Sequence, residues 1–316
     1  MGIVFFGRKF SNLIKVALKY NFDLPLRTAP VLVEMDITNK CNLKCVMCPN
    51  RKVKKQKGLM SLELFKDVVE QTRERALEYS IGVCGEPLLH PDLIKMIKYI
   101  KDRDCSVTLN TNLNHQQDSL NEDLIRQKVD RLMVTMCGVN KATYESICIN
   151  GDFDCVINNL KAIKSYKRQL KRNKPVVVAN FIEMKLNAGQ RDSVKKSLGE
   201  YVDHCNIPMM HDWGGDQEIR DLKLAGAKKK NNTKCSSPWT TATVLYDGKI
   251  SPCCQDYEGK IVFGDSGNMK LSDIWNSSFA EHFRKHYAEG IPCRDCGSPA
   301  SQFSMKNIFF TVKTTI

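Results

Sequence analysis

The chain runs to 316 residues, 42% of them apolar and 26% charged, and its 48 lysines and arginines against 35 acids leave a formal charge of +13. That length supports one large domain, or a large one with a small companion, and ample core. No stretch of 18 apolar residues is there to span a bilayer, and Met1 to Phe10 sets Arg8 and Lys9 after Val4-Phe5-Phe6 with no longer apolar region or cleavage site behind, so no signal peptide is expected.

Fourteen cysteines without a secretory signal point to a reducing, cytoplasmic setting in which thiols serve metal rather than disulfides. The basic runs Arg51 to Lys57, Lys161 to Lys174 and Lys228 to Lys230 read as solvated faces and loops, since no focused patch interleaves them with aromatics. Two partners therefore suit the charge better than nucleic acid does. One is a phosphorylated or nucleotide-linked substrate; the other is an acidic electron donor of the flavodoxin or ferredoxin type.

In chain order, residues 1–30 hold a short amphipathic helix, Phe10 to Tyr20, and then Leu24-Pro25-Leu26, expected to dock on the main domain. From residue 31 strand and helix patterns alternate, the signal for parallel α/β structure. Strands are expected at Val31–Ile37, Tyr79–Cys84, Cys105–Asn110, Arg131–Met136, Pro175–Met184 and Val202–Met210. Helices are expected at Ser61–Glu78, Asp92–Arg103, Asn121–Lys128, Lys141–Ile147, Phe153–Leu170 and Gln190–Tyr201. Pattern alone does not separate a partial barrel from a doubly wound sheet, but both put the active site at the strands' C-terminal ends. Residues 218–234 form a polar, lysine-rich linker between a core of 31–217 and a C-terminal module of 235–316.

The first strand leads into Cys41-Asn42-Leu43-Lys44-Cys45-Val46-Met47-Cys48, three thiols spaced C-x3-C-x2-C. Thiolates this close can converge on one soft metal centre, and three are one short of the four that a cubane iron–sulfur cluster takes. Three clustered core cysteines, or a zinc knuckle with a remote fourth ligand, are the plainer alternatives, though no second C-x2-C pair follows closely. The second strand ends in Cys84-Gly85-Glu86-Pro87-Leu88-Leu89-His90-Pro91, where glycine admits a close backbone approach and Glu86 is placed for an ammonium group. The C-terminal module carries Cys235, Asp247-Gly248 in a hairpin between Thr241–Tyr246 and Lys249–Pro252, Cys253-Cys254, and Cys293-x2-Cys296. A four-cysteine zinc ribbon is the simple reading of that module alone.

Taken together, these motifs resemble the radical S-adenosylmethionine (SAM) enzymes. The resemblance implies a partial (β/α)6 TIM-like barrel in which Cys41, Cys45 and Cys48 hold a [4Fe–4S] cluster whose open iron binds SAM, which is then cleaved to a 5'-deoxyadenosyl radical. It implies SAM contacts at Gly85, Glu86 and Pro87, with Cys84 standing where the family has a first glycine. Asn110, Thr135 and Asn187 are the polar strand-end residues it carries over. Met47 stands where the family places an aromatic over the adenine. The C-terminal module resembles the shortened auxiliary-cluster domain called twitch, a relative of SPASM, with Cys235, Cys253, Cys293 and Cys296 around one auxiliary [4Fe–4S] cluster. No cysteine follows Cys296 to build a second.

The implied activity is an oxidoreductase in which the radical takes a hydrogen atom from an alcohol carbon of a carbohydrate- or cyclitol-like small molecule and the auxiliary cluster takes the electron. An epimerase returning hydrogen from Cys254 or Cys137 is the first alternative, and a peptide-modifying maturase the second. A non-catalytic iron–sulfur or zinc scaffold for nucleic acid is the third. His211, Asp212 and Trp213 close the sixth strand and are candidate substrate contacts. No general base is singled out among His90, His211, Asp212 and Asp256. Cys84, Cys105, Cys137, Cys148, Cys155 and Cys205 read most simply as small buried hydrophobes.

Overall fold

A computed structural model describes residues 2–208, 210–224, 234–290, 293–294 and 296. Its strands are β1 (Leu32–Met35), β2 (Glu78–Ile81), β3 (Ser106–Thr111), β4 (Arg131–Met136), β5 (Val176–Phe181), β6 (His204–Asn206), β7 (Thr241–Val244), β8 (Lys249–Ser251) and β9 (Gly264–Asp265). The helices are α1 (Gly2–Phe22), α2 (Leu62–Thr72), α3 (Leu93–Lys101), α4 (Asp118–Arg126), α5 (Lys141–Ile147), α6 (Phe153–Gln169), α7 (Val194–Leu198), α8 (Gln217–Arg220), α9 (Ser237–Thr240), α10 (Leu271–Trp275) and α11 (Ser278–His286). None of the described helices is long and apolar enough to cross a membrane.

Strands β1 to β6 lie side by side in sequence order, every pair parallel. A doubly wound sheet reverses its order at a switch point, whereas a barrel steps steadily in one direction. The steady order gives the partial barrel. One face of each strand carries the core: Val33, Met35, Tyr79, Ile81, Val107, Leu109, Leu132, Val134 and Met136 are buried with Phe65, Val68, Met96, Ile97, Leu124 and Leu160 of the helices. Burial of that apolar surface is the main favourable contribution to folding. Side-chain caps start several helices, with Ser61 Oγ accepting from Leu64 N and Asp152 Oδ1 from Cys155 N, each worth about 1 kcal/mol.

The opposite face is polar. In register across the sheet stand Glu34, Ser80 and Thr108, then Asn110 beside Met133, and Thr135 beside Asn180 and Asn206. Deeper in the barrel Arg131 pairs with Glu78 and donates through Nε to Thr108 Oγ1 at 3.0 Å, while that hydroxyl donates to Glu78 at 2.5 Å. Alternation of period two thus separates a dry outer layer from a hydrophilic interior.

Three expectations change. The N-terminal helix begins near the start of the chain and runs 21 residues rather than 11, with Leu13 and Val16 packed beside Val31 and Trp239. The sixth strand shrinks to three residues because its inward positions are open and little burial holds it. The C-terminal hairpin is no separate sheet: β7 pairs in parallel with β1, and β8 and β9 follow antiparallel, making nine strands in one sheet. Of the expected linker, residues 225–233 lie outside the described residues, as does nearly all of 291–316.

Arg131→Met should leave Glu78 buried without a counter-charge at a cost of about 3 kcal/mol, and adding Glu78→Gln should recover most of it. Thermal unfolding midpoints of the single and double variants test this; equal midpoints would contradict it.

Candidate active site

The cysteine loop leaves β1 at the C-terminal mouth of the barrel and is strapped to the end of α5, with Lys44 N donating to Ile149 O at 2.9 Å and Val46 N to Ile147 O at 3.0 Å. Its three thiols lie near enough that charge on one raises the pKa of another. Burial pushes Cys48 up to about 12, with Cys45 and Cys41 adding to the rise. Burial likewise pushes Cys41 up to about 11, helped by Glu86 and Cys45. Cys45 is raised first by its bond to Cys148 and then by burial. Thiols held neutral by burial and mutual repulsion become thiolates when a cationic centre binds them. That donor set fits an iron–sulfur cluster with one iron left open.

Three contacts dock the Gly85-Glu86-Pro87 segment near this loop. Asp36, buried at the end of β1, accepts the backbone N–H of Cys84 at 3.1 Å, with the backbone of Gly85 and Val83 close by. Gly85 lies so close to the backbone before Cys41 that a Cβ there would sit 1.9 Å from Thr38 O and 2.7 Å from Lys40 O. Glu86 N then donates to Lys40 O at 2.8 Å. The Glu86 carboxylate is buried and accepts from Thr111 Oγ1 at 2.7 Å, Asn112 N at 2.7 Å and Leu88 N at 3.0 Å. Burial raises its pKa to about 7. Pro87 starts a short 3-10 turn behind it and packs near Gly82.

The other expected contacts divide by orientation. Asn110 and Thr135 line the polar interior, Asn110 donating to Ser80 Oγ at 2.9 Å. Asn187 is buried and holds loops together, giving its amide to Cys137 O and Ile182 O and accepting from Met184 N. The Cys137 side chain lies in the core, bonded to the Cys148 thiol, which in turn meets Cys45. Met47 is buried, and its carbonyl accepts from Trp213 Nε1 at 3.1 Å.

Trp213, Gly214 and Gly215 take φ of 51°, 74° and 98°, a left-handed turn that folds the indole back over the cysteine loop. The indole also meets Tyr257 of the C-terminal module edge-on, with ring centroids 6.1 Å apart. Asp212 is fully buried with Arg220 at 3.3 Å. His211 is exposed, yet the surrounding protein and then Lys223 lower its pKa, as in a concave mouth. His90 faces Met60 O and receives Asp92 N, and Asp256 holds the N–H groups of Lys260 and Ile261. Both are structural. The basic run after Cys48 is a strap rather than a solvated loop: Arg51 pairs with Glu218, Lys52 with Asp216, and Lys55 with Asp247.

In the C-terminal module, Cys253 is raised by burial and by the proximity of Cys293 and Cys235. Cys293, pushed up to about 12 by burial, has Cys296 and Cys235 beside it. Burial raises the Cys254 thiol as well, with the Glu34 carboxylate of the inner face adding to the rise. Cys253 has Cys293 and Cys235 of the module among its neighbours, and Glu34 too. Cys84 lies between, with Asp36, Cys48, Cys254 and Glu34 all near enough to raise it.

Asp36 and Glu34 were missing from the expected site. Their signal was legible: two acids at i and i+2 inside an apolar strand, Val33-Glu34-Met35-Asp36, require partners on the inner side.

Comparison with known proteins agrees with this geometry. Residues 35–176 match the radical SAM superfamily model and residues 235–297 the SPASM iron–sulfur cluster-binding domain. The chain is a member of the radical SAM superfamily with a SPASM-type domain, so a SAM-binding [4Fe–4S] cluster and an auxiliary cluster are its cofactors. It is 23% identical over 283 residues to an S-adenosyl-L-methionine-dependent 2-deoxy-scyllo-inosamine dehydrogenase of Niallia circulans, covering 86% of this chain and 94% of that one. It is 30% identical over 266 residues to a probable GTP 3',8-cyclase of Methanocaldococcus jannaschii, covering 70% and 84%. Among solved structures, BtrN in complex with AdoMet and 2-DOIA superposes with a TM-score of 0.61 at 21% identity, over 88% of this chain and 97% of that one.

Gly85→Ala should push the two loops apart and lower iron after anaerobic reconstitution from about eight to about four per chain, leaving the C-terminal site loaded. Unchanged iron would mean the close approach is not required.

Proposed function

We propose that this enzyme oxidises an alcohol carbon of a small, carbohydrate- or cyclitol-like substrate, acting as a SAM-dependent dehydrogenase. The observation that carries the reading is the polar inner face of the barrel between two cysteine sets. Glu34, Ser80, Asn110, Thr135, Asn180 and Asn206 offer hydroxyl, amide and carboxylate groups there, the donors and acceptors that a polyol needs on entering a desolvated site. The dehydrogenase among its relatives supports the same substrate class.

Cys41, Cys45 and Cys48 would hold the cluster on which SAM would supply hydrogen-atom abstraction, and Cys235, Cys253, Cys293 and Cys296 would hold the auxiliary cluster, which would supply one-electron redox capacity. The protein does the rest. Asp36 and Gly85 seat the SAM-side backbone, Asn110 and Thr135 orient polar groups, and Trp213 covers the cysteine loop. The strap of Arg51 to Lys55 ties the cysteine loop to Glu218 and Asp216 beside that cover and to Asp247 of the C-terminal module.

A second reading is epimerisation, favoured by the Cys254 thiol lying near Glu34 of the inner face. The product separates them. A dehydrogenase gives a ketone with SAM consumed, whereas an epimerase gives an inverted alcohol carrying solvent deuterium.

The direct test is dithionite-driven formation of 5'-deoxyadenosine with 2-deoxy-scyllo-inosamine present, in wild type and in a Cys41/Cys45/Cys48→Ala variant. Wild type should form it, and the variant should lose it with about four irons kept. Zinc instead of iron, or no deoxyadenosine from wild type, would sink the proposal.

A further inference from the structure

We propose that Glu34 is the proton acceptor of the reaction, taking the hydroxyl proton from the carbon that gives up its hydrogen atom; the proposal rests on the dehydrogenase reading above. Glu34 lies on the inner face of β1, in register with Ser80 of β2 and Thr243 of β7. The SAM-side cysteine loop starts beyond the end of its strand, and the C-terminal module begins on the strand beside it. It is partly open to the interior space although protein surrounds it, as a cavity-lining group must be. One oxygen accepts the Thr243 hydroxyl at 2.6 Å, and the Cys254 thiol lies near the carboxylate. The neutral hydroxyl fixes its orientation without neutralising it.

The other inward carboxylate on these strands, Glu78, is two residues deeper and already held by Arg131. Glu34 has no ion pair among the described residues, and no cation is among the groups that shift it. The titratable groups facing it are Cys254 and Cys253 from the loop after β8 and Cys84 from the loop after β2. Burial raises its pKa, making it a stronger base than a surface carboxylate. Asp36 and Glu86, also raised, spend their oxygens on backbone N–H groups and a threonine hydroxyl.

The chemistry balances. Hydrogen-atom loss from H–C–OH to the SAM-derived radical leaves a carbon radical bearing the hydroxyl. Loss of the O–H proton to Glu34 and of one electron to an iron–sulfur cluster as oxidant then forms C=O.

The experiment compares wild type, Glu34→Gln and Glu34→Asp, reconstituted with iron and checked for equal iron content and unfolding temperature. The substrates are perdeuterated 2-deoxy-scyllo-inosamine and a panel of deuterated cyclitols and sugar phosphates. Deuterium in 5'-deoxyadenosine reports abstraction, and ketone reports the proton-dependent step. Glu34→Gln should keep deuterium transfer and lose ketone by about 100-fold or more, and Glu34→Asp should regain part of it. In wild type, ketone formation should fall as pH drops through the Glu34 pKa, a limb absent from Glu34→Gln. Infrared titration of the iron-free proteins should show one protonated carboxyl band, above the usual carboxylate range, that Glu34→Gln lacks. Wild-type ketone yield and pH profile in Glu34→Gln would overturn the assignment while leaving the dehydrogenase intact. Wild type forming no ketone from any substrate would overturn both.

Discussion

The structure turns on the end of one strand. After β1, Asp36 takes the backbone N–H of Cys84 within the Val83 to Gly85 segment, and Gly85 has no side chain to hold that segment off. An acid buried there is expensive unless its oxygens are bonded, and the nearest donors belong to the loop that must sit beside the cysteines. Satisfying Asp36 therefore assembles the site. Without the carboxylate, two loops from different strands would have only side-chain packing to bring them into register; with it, the backbone itself is fixed.

The same strand also joins the two halves of the molecule. β1 pairs with β2 on one side and β7 on the other, so the C-terminal cysteine set is carried on the same sheet as the SAM-side loop. A central strand bonded along both edges resists slippage, since shifting it by one residue would turn Glu34 outward and Met35 inward. The distance between the two cysteine sets is thereby set by sheet geometry rather than by the linker. Trp213 and the basic strap add a second connection across the top, from Met47 to Tyr257 and from Lys52 to Asp216.

Much of this was legible in the residues alone. Arg131–Met136 and Lys141–Ile147 fall where period-two and period-3.6 patterns put them, because their apolar positions have one face to satisfy. Strand order was beyond the pattern, since neighbours in a barrel and in a doubly wound sheet carry the same alternation. The union of β7 with β1 was hidden for a related reason: backbone pairing between strands so far apart in the chain has no side-chain signature. The strap could not be read from charge alone, as Arg51 and Lys52 find Glu218 and Asp216 only through the fold. Adjacent Cys253 and Cys254 looked interchangeable, and only their neighbours in the fold distinguish them, Cys293 and Cys235 being beside the first.

The neighbourhood of Glu34 bears on how the interior works. Thr243 donates its hydroxyl to one Glu34 oxygen at 2.6 Å, and burial raises the pKa of the nearby Cys254 thiol. The proton role proposed for Glu34 and a hydrogen-atom role for Cys254 thus make different demands on one corner of the interior: the first needs a carboxylate oxygen within reach of a substrate hydroxyl, the second an S–H turned to the substrate carbon.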